Sequence, residues 1–224
     1  MTKEELTAQV ESIVRQVVDS VLESGNGHSE THKRGEVPVQ VSARHLHITQ
    51  EHLEILFGKG HTLTKMRDLV QPGEFAAKET VGVVGPRRRV IEKVRILGPT
   101  RPRTQVELSF TDGIQLGIDL PHRISGDIDN SAPIDLIGPE GMLHLDEGAI
   151  RAMRHMHIPP ELAKEWGIEN GQTVDVRTEG DAAVTFHGVL ARYLENGYLR
   201  MHIDTDEANA AGLSAREEHI GFIV

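Results

Sequence analysis

The chain of 224 residues contains no cysteine, which excludes a disulfide framework, a thiolate metal site and a cysteine nucleophile. Aromatic residues are scarce, at 4% of the chain. No apolar run approaches the roughly 18 to 20 residues that cross a bilayer, and the N-terminus lacks the basic segment of a signal peptide. We therefore expect a cytoplasmic protein with no membrane partner.

Basic residues are in deficit, because 24 Lys and Arg face 34 Asp and Glu and leave a formal net charge of -10. Nucleic-acid binding is disfavoured, since contacts to phosphates need a broad basic surface. A composition of 38% hydrophobic and 26% charged residues is typical of a globular protein with a sizeable core, built as one large or two small domains. Because the chain has no cysteine, its 13 histidines are the first candidates for a chemical role.

Residues 2 to 23 carry apolar side chains at spacings of three and four, which predicts an amphipathic helix over 1–23. Residues 24–36 are polar and rich in glycine, which is typical of a flexible linker. Two interpretations remain open: the helix docks onto its own domain, or it binds another protein as a helix in a groove. The apolar stripe consists of Leu6, Val10, Ile13, Val14, Val17, Val18, Val21 and Leu22.

From residue 37 onward the pattern changes to short β-like runs separated by turn residues, which predicts a mainly β fold with short helices. Two segments read as helices, Thr49–Phe57 and Pro159–Trp166. The β-like runs are 37–43, 88–98, 105–110, 114–120, 132–138, 173–178, 183–194 and 198–203.

A short motif occurs twice in this region. Arg-His-Leu-His-Ile at 44–48 reappears as Arg-His-Met-His-Ile at 154–158, and each copy leads into a helical segment and then a strand. Two copies at so long a separation indicate two related domains rather than a solenoid. We expect a first β domain at 37–145 and a second at 146–224.

Histidines at positions i and i+2 of a strand point to the same side, so His45 with His47 and His155 with His157 form two potential chelates. Neutral imidazole is the commonest protein ligand for zinc and similar metals. Two such pairs from related domains could meet at an interface and hold two ions. The alternative is a set of surface or core histidines with satisfied hydrogen bonds.

Further ligands are also expected on strands. His202 alternates with Leu199, Met201 and Ile203, which places its imidazole on the polar face of a strand. Glu107 alternates with a set of apolar residues expected to face a core, namely Val106, Leu108 and Phe110. For Glu107, spacing alone favours an ordinary exposed carboxylate.

A basic segment extends from Arg87 to Arg103, with Glu92 as the one acidic residue inside it. One interpretation is an edge strand whose charges prevent pairing with other chains. The other is a site for a polyanionic ligand such as a phosphorylated nucleotide, because the planar guanidinium fork matches phosphate. Its cations are Arg87, Arg88, Arg89, Lys93, Arg95, Arg101 and Arg103.

Several separated motifs, in the same order, closely resemble those of the PduL-type phosphate acyltransferases. They are V-x-V-S-A-R-H-L-H at 39–47, the block at 78–85, G-P-x-R-x-x-T-Q-V-E-L at 98–108, S-G-D at 125–127, R-H-x-H at 154–157 and M-H-I-D-T-D-E-A-N at 201–209. The resemblance covers residues 37–224. The N-terminal helix and linker look like the encapsulation peptides that carry such enzymes into bacterial microcompartments.

The resemblance implies a reversible transfer of a propanoyl or acetyl group between coenzyme A and inorganic phosphate, by direct attack of phosphate on the thioester. It also implies two related β-barrel domains with a two-zinc site between them. Arg101 is expected to hold the phosphate and to be catalytic, and Arg95 to contact coenzyme A. The implied zinc ligands are His45, His47 and Glu107 for one ion and His155, His157 and His202 for the other.

The expected partners are acyl-CoA and phosphate, microcompartment shell or core proteins bound through the N-terminal helix, and further copies of the chain in a homo-oligomer. The expected location is the lumen of a microcompartment in the cytoplasm. Two alternatives stay open. One is a zinc-dependent thioester hydrolase, and the other is a non-enzymatic scaffold protein that uses metal structurally.

Overall fold

The computed structural model describes residues 33–195 and 197–224. The helix predicted at 1–23 and most of the linker predicted at 24–36 lie outside these residues. The described part is mainly β with short helices, as predicted. Its strands are β1 Glu36–Val41, β2 His45–His47, β3 Lys65–Asp68, β4 Phe75–Val84, β5 Val90–Gly98, β6 Gln105–Glu107, β7 His122–Arg123, β8 Ala132–Ile137, β9 Met142–Ala152, β10 His155–Ile158, β11 Thr173–Thr178, β12 Thr185–Tyr193, β13 Arg200–Ile203 and β14 His219–Ile223. Its helices are α1 Gln50–Phe57, α2 Phe110–Leu116, α3 Pro160–Trp166 and α4 Thr205–Ala210.

Six strands close into barrel 1 in the order β9-β6-β2-β5-β4-β8, because β8 pairs with both β9 and β4. Strand β3 extends β4, and β7 extends β9. Inward side chains such as Leu46, Ile96 and Val106 are fully buried and form the core together with α1 residues Leu53 and Leu56. The alternation of apolar and polar residues along these strands leaves the polar side chains on the outer face.

Barrel 2 closes in the order β1-β13-β10-β12-β11-β14 and has a core of its own. The two barrels have the same topology. The strand with the His-x-His motif, β2 or β10, is parallel to one neighbour, β5 or β12, and antiparallel to the other, β6 or β13. The prediction of two related β-barrels is therefore confirmed.

The barrels exchange one strand. Strand β1 directly precedes β2 in the chain but lies in barrel 2, where Gln40 pairs with His202. Strand β9 directly precedes β10 but lies in barrel 1, where Ile150 pairs with Glu107. The chain therefore crosses from one barrel to the other immediately before each Arg-His-x-His motif.

By its hydrogen bonds, β1 belongs with the C-terminal half of the chain and β9 with the N-terminal half. Residues 34–224 form one compact unit. The domain limits at 37–145 and 146–224 stay a prediction. No helix in the part of the chain that the structure describes combines the length and apolarity needed to span a membrane.

Helices α1 and α3 confirm the two predicted helical segments, and Thr49 caps α1 by accepting a hydrogen bond from the backbone of His52. The run 114–120 was wrong as a β-like segment, because its first residues end helix α2. The expectation that Phe110 faces a core was also wrong, since Phe110 begins α2 and is 54% exposed. The capping box of Ser109 and Asp112 supplies the hydrogen bonds that start this helix.

Candidate metal centre at the seam between the barrels

In barrel 1 the structure brings His45, His47 and Glu107 together, with one ligand atom from each within 4.8 Å of the others. Strand β2 presents both imidazoles on one face, and β6 places Glu107 directly opposite His45. His45 Nε2 lies 3.5 Å from Glu107 Oε2. Glu107 is buried, so the exposed carboxylate favoured by its spacing is not what the fold provides.

In barrel 2 the corresponding cluster is formed by His155, His157 and His202, again with ligand atoms within 4.8 Å of one another. Strand β13 places His202 opposite His155, and their rings stack with centroids 5.1 Å apart. The His157 ring lies edge-on to both, at 4.9 Å from His155 and 5.3 Å from His202. All six predicted metal ligands therefore fall into two groups of three.

Hydrogen bonds outside the clusters fix the direction of three of the rings. The carbonyl oxygens of Ala43 and Met153 accept from Nδ1 of His45 and His155, both at 2.9 Å. A carbonyl is only an acceptor, so Nδ1 carries the proton and the lone pair of Nε2 is left for a metal ion. His202 Nδ1 is 3.2 Å from the hydroxyl of Ser42, in the first segment that crosses between the barrels.

The carboxylate of Glu107 is held by a small network of polar side chains. Its Oε1 accepts from Gln105 Nε2 at 2.5 Å and from the Ser125 hydroxyl at 2.8 Å, which leaves Oε2 toward His45. The amide of Gly126 donates in turn to Gln105 Oε1 at 2.8 Å. Sequence reasoning missed Gln105 as part of the site, although its i, i+2 spacing from Glu107 places both on one face of β6.

Burial lowers the pKa of several histidines in the two clusters. It lowers the pKa of His47 to about 3, with the charges of His45 and Arg101 adding to the effect. Burial also lowers the pKa of His157 to about 4 and carries that of His202 well below its usual value. These imidazoles are therefore neutral at pH 7, the form that binds metal.

At Glu107 the neighbouring groups together have a larger effect on the pKa than burial has. Burial alone would raise its pKa, but the neighbouring imidazoles of His45 and His47 and the hydrogen bond from Ser125 outweigh burial, and the pKa is lowered. The carboxylate is therefore ionised at pH 7. A charge of this kind in a buried place needs a cationic or hydrogen-bonding partner.

The residues present fit two divalent ions. Neutral imidazoles and one carboxylate are the nitrogen and oxygen ligands that zinc takes in proteins. His157 Nδ1 is buried and makes no hydrogen bond to any residue in the described ranges, so a polar atom of the cluster lacks a partner. Three ligands in each group leave coordination positions open, which is typical of catalytic rather than structural zinc sites.

The two clusters face one another across the seam. One narrow cleft of about 30 Å³ is lined both by Glu107 of barrel 1 and by His155 and His202 of barrel 2. Its walls include Ser42 and Met153, one residue from each segment that crosses between the barrels. The strand exchange thus brings the two copies of the motif to one place.

Arg101 is also brought to the centre. Its backbone N–H donates to the carbonyl of Ile48 at 2.8 Å, just beyond β2, and its charge contributes to the lowered pKa of His47. Its guanidinium forms an ion pair with Glu74 in the turn before β4. Arg101 therefore already holds a carboxylate beside the cluster of barrel 1.

Arg95, predicted to contact coenzyme A, lies on β5 opposite His45, and its Nη1 donates to the backbone carbonyls of Ala77 and Lys78 at 2.9 and 2.8 Å. Other cations of the basic segment have separate partners. Arg87 donates to the carbonyl of Ile114 at 2.7 Å, and Arg103 contacts two carboxylates at 2.7 Å each. These cations of the basic segment therefore contact separate groups and do not gather beside the candidate metal centre.

The two barrels have the same topology, and each contributes one three-residue cluster to the seam. This arrangement defines a double-barrel protein with a candidate two-metal centre. Residues 38–214 match the family model described as phosphate propanoyltransferase. The chain belongs to the phosphate propanoyltransferase family, and it is an acyltransferase enzyme.

Curated relatives span nearly the whole chain. The chain is 50% identical over 207 residues to a phosphate propanoyltransferase of Lachnoclostridium phytofermentans, which covers 92% of this chain and 94% of the relative. It is 46% identical over 213 residues to one of Planctopirus limnophila, with 92% and 87% covered. It is 49% identical over 177 residues to one of Thermotoga maritima, with 79% and 84% covered.

Proposed function

We propose that the chain is a zinc-dependent phosphate acyltransferase that moves a short acyl group, propanoyl or acetyl, reversibly between coenzyme A and inorganic phosphate. The observation that carries the zinc dependence is the pair of three-ligand clusters at the seam. His47, His157 and His202 are neutral, Glu107 is ionised, and His45 and His155 are hydrogen-bonded through Nδ1, which leaves their Nε2 atoms for a metal ion.

The proposed reaction needs no covalent intermediate on the enzyme. The chain has no cysteine, and the hydroxyls of Ser42 and Ser125 are engaged with His202 and Glu107. Phosphate is then the nucleophile: one of its oxygens forms a bond to the acyl carbon while the bond from that carbon to sulfur breaks and coenzyme A leaves as the thiolate. Zinc, when bound, would act as a Lewis acid toward the thioester carbonyl and would accept the leaving thiolate as a ligand.

Arg101 is the residue that we expect to hold the attacking phosphate. Its guanidinium lies beside the cluster of barrel 1 and is paired with Glu74 through Nη2, and a guanidinium can also bind two oxygens of a phosphate. Phosphate would compete with Glu74 for these donors. Holding the nucleophile next to the thioester removes much of the entropic barrier to a two-substrate reaction.

The test combines metal analysis with a thiol assay. We expect about two zinc ions per chain, and release of coenzyme A thiol from acetyl-CoA and propanoyl-CoA that depends on added phosphate. Thiol release at an equal rate without phosphate would identify a thioester hydrolase. Metal content without any turnover of either substrate would favour a scaffold protein.

We also propose that residues 1–36 serve as an address for a microcompartment. The family model matches residues 38–214, which begin after this segment. The apolar stripe of the predicted helix would bind shell or core proteins, and the enzyme itself would act as a homo-oligomer with acyl-CoA and phosphate as substrates. Arg95 remains the residue proposed for coenzyme A.

A further inference from the structure

His157 lies in the middle of a row of three side chains across barrel 2. Arg200 of β13 pairs with it on one side and Arg192 of β12 on the other. Residues directly opposite each other on neighbouring strands point to the same face of the sheet. The next row, Met201, Met156 and Ala191, is fully buried. The two arginines therefore point away from the core, on the face that carries the metal cluster.

Neither arginine has a carboxylate partner within the described ranges. Arg200 Nε is buried and makes no hydrogen bond there, and its guanidinium lies 5.9 Å from the centre of the Tyr198 ring. The charge of Arg192 acts on His155 and His157.

Other arginines near the seam do have acidic partners. Arg44 pairs with Asp112, Arg154 with Glu207, and Arg101 with Glu74. Arg192 and Arg200 thus place two uncompensated positive charges beside the cluster of barrel 2.

Barrel 1 shows that the fold does not require these charges. In the equivalent row, Gln105 pairs with His47 on one side and Leu97 lies beside it on the other. The two barrels share one topology, so a neutral amide and an aliphatic side chain satisfy the same positions. The arginines of barrel 2 must therefore be explained by something other than barrel closure.

We propose that Arg192 and Arg200 form an anion subsite that binds a phosphoryl group of a substrate beside the cluster of barrel 2. The proposal rests on the proposed phosphate acyltransferase function, in which both substrates carry phosphoryl oxygens. Two guanidinium groups without acidic partners match such oxygens in geometry and charge. The Tyr198 ring lies 5.9 Å from the Arg200 guanidinium, and its hydroxyl lies 3.5 Å from His202 Nε2, at the edge of the same site.

The phosphoryl group can come from inorganic phosphate or from coenzyme A, and the test separates the two sources. Arg200→Gln and Arg192→Leu give barrel 2 the residues that barrel 1 already carries at these positions. We expect the KM for one substrate to rise roughly 10- to 100-fold, as for loss of a hydrogen bond to a charged group. The KM for the other substrate should stay within about twofold, and Arg200→Lys should recover part of the loss.

A rise confined to the phosphate KM assigns the subsite to inorganic phosphate, and a rise confined to the acetyl-CoA KM assigns it to the phosphates of coenzyme A. The increase in Tm that each compound produces gives a readout independent of turnover, and it should shrink for the same compound. Zinc content should equal that of the wild type. Arg177→Gln, at an exposed position of β11 in the same barrel, is the matched control.

If both KM values and both Tm increments are unchanged in Arg192→Leu and Arg200→Gln, the subsite does not exist. A fall in kcat alone would also overturn it, because that pattern indicates an effect on the cluster rather than on substrate binding. Failure of the proposed function is a different result: the wild-type enzyme itself would then show no phosphate-dependent release of thiol.

Discussion

Glu107 and His202 occupy equivalent positions in the two barrels. Glu107 lies opposite His45 and His202 opposite His155, and each is two residues before the residue that caps a short helix. The internal repeat therefore includes the third residue of each candidate cluster, although one copy supplies a carboxylate and the other an imidazole. The ligand set of barrel 1 carries one negative charge and that of barrel 2 carries none.

Metal removal should abolish acyl transfer, because all six proposed ligands lie in the two clusters at the seam. Zinc or cobalt should restore activity. His45→Ala and His155→Ala should each lower kcat by roughly two orders of magnitude or more, as for loss of a main electrostatic element. Metal analysis and a thiol-release assay measure both effects. Full activity of metal-free protein, or wild-type turnover of either variant, would contradict the two-metal assignment.

Ser125→Ala and Ser42→Ala form a matched pair, because each hydroxyl supports a ligand of a different cluster. Loss of such a supporting hydrogen bond typically costs about 10- to 100-fold in metal affinity. Titration with a chelator should show that each variant loses about one ion per chain more readily than the wild type and retains the other. Equal loss of both ions in either variant would show that the clusters are not independent.

Arg101→Ala should raise the KM for phosphate roughly 10- to 100-fold, because a charge-assisted bidentate contact is lost. Arg101→Lys should recover only part of it, since lysine keeps the charge without the fork. Glu74→Gln removes the competing carboxylate and should lower the phosphate KM. Initial rates at varied phosphate measure all three, and an unchanged phosphate KM in both Arg101 variants would remove Arg101 from the site.

Removal of the N-terminal segment should leave the catalyst intact. Strand β1 begins at Glu36, and Ile223 N–H donates to the Gly35 carbonyl at 2.9 Å, so the shortened chain should start at Arg34 rather than at Val37. We expect full metal content and a kcat close to that of the whole chain. Loss of folding or activity would show that the predicted helix docks onto the enzyme and is part of its structure.

Delivery is tested separately from catalysis. Residues 1–36 fused to an unrelated soluble protein should carry it into a microcompartment, because the aliphatic stripe offers a helix for groove binding. Val14→Glu with Val18→Glu should abolish co-purification with shells and leave the specific activity of the enzyme unchanged. Delivery of the doubly charged variant at the level of the unchanged segment would argue against the stripe as the address.

Local patterns predicted much of the fold. The helices at α1 and α3 follow from the apolar spacing after each Arg-His-x-His motif, and most strands follow from alternation. Helices α2 and α4 were missed although both begin with capping boxes, Ser109 with Asp112 and Asp204 with Glu207, because only six or seven residues follow each cap. The run 114–120 was predicted as β-like because the helix that covers its first residues is too short to show helical periodicity.

The site was harder to predict where it depends on contacts between distant residues. The two His-x-His pairs were visible as a repeat, and His202 stood out through strand alternation. Glu107 could be assigned only from the family resemblance, since its burial depends on Gln105 and Ser125 and on the second barrel. The strand exchange itself had no local signal, because it is set by which distant strands pair.

The exchanged strands bear on how the molecule unfolds. Barrel 1 cannot close without β9, which is covalently joined to the motif of barrel 2, and barrel 2 cannot close without β1, which is joined to the motif of barrel 1. A C-terminal fragment that begins after β9 therefore lacks a strand of barrel 2, and a cut at residue 145 divides β9 and leaves barrel 1 open. Release of β1 from barrel 2, or of β9 from barrel 1, displaces the segment that leads into a His-x-His pair of the other barrel. The two barrels should therefore unfold together in one cooperative transition.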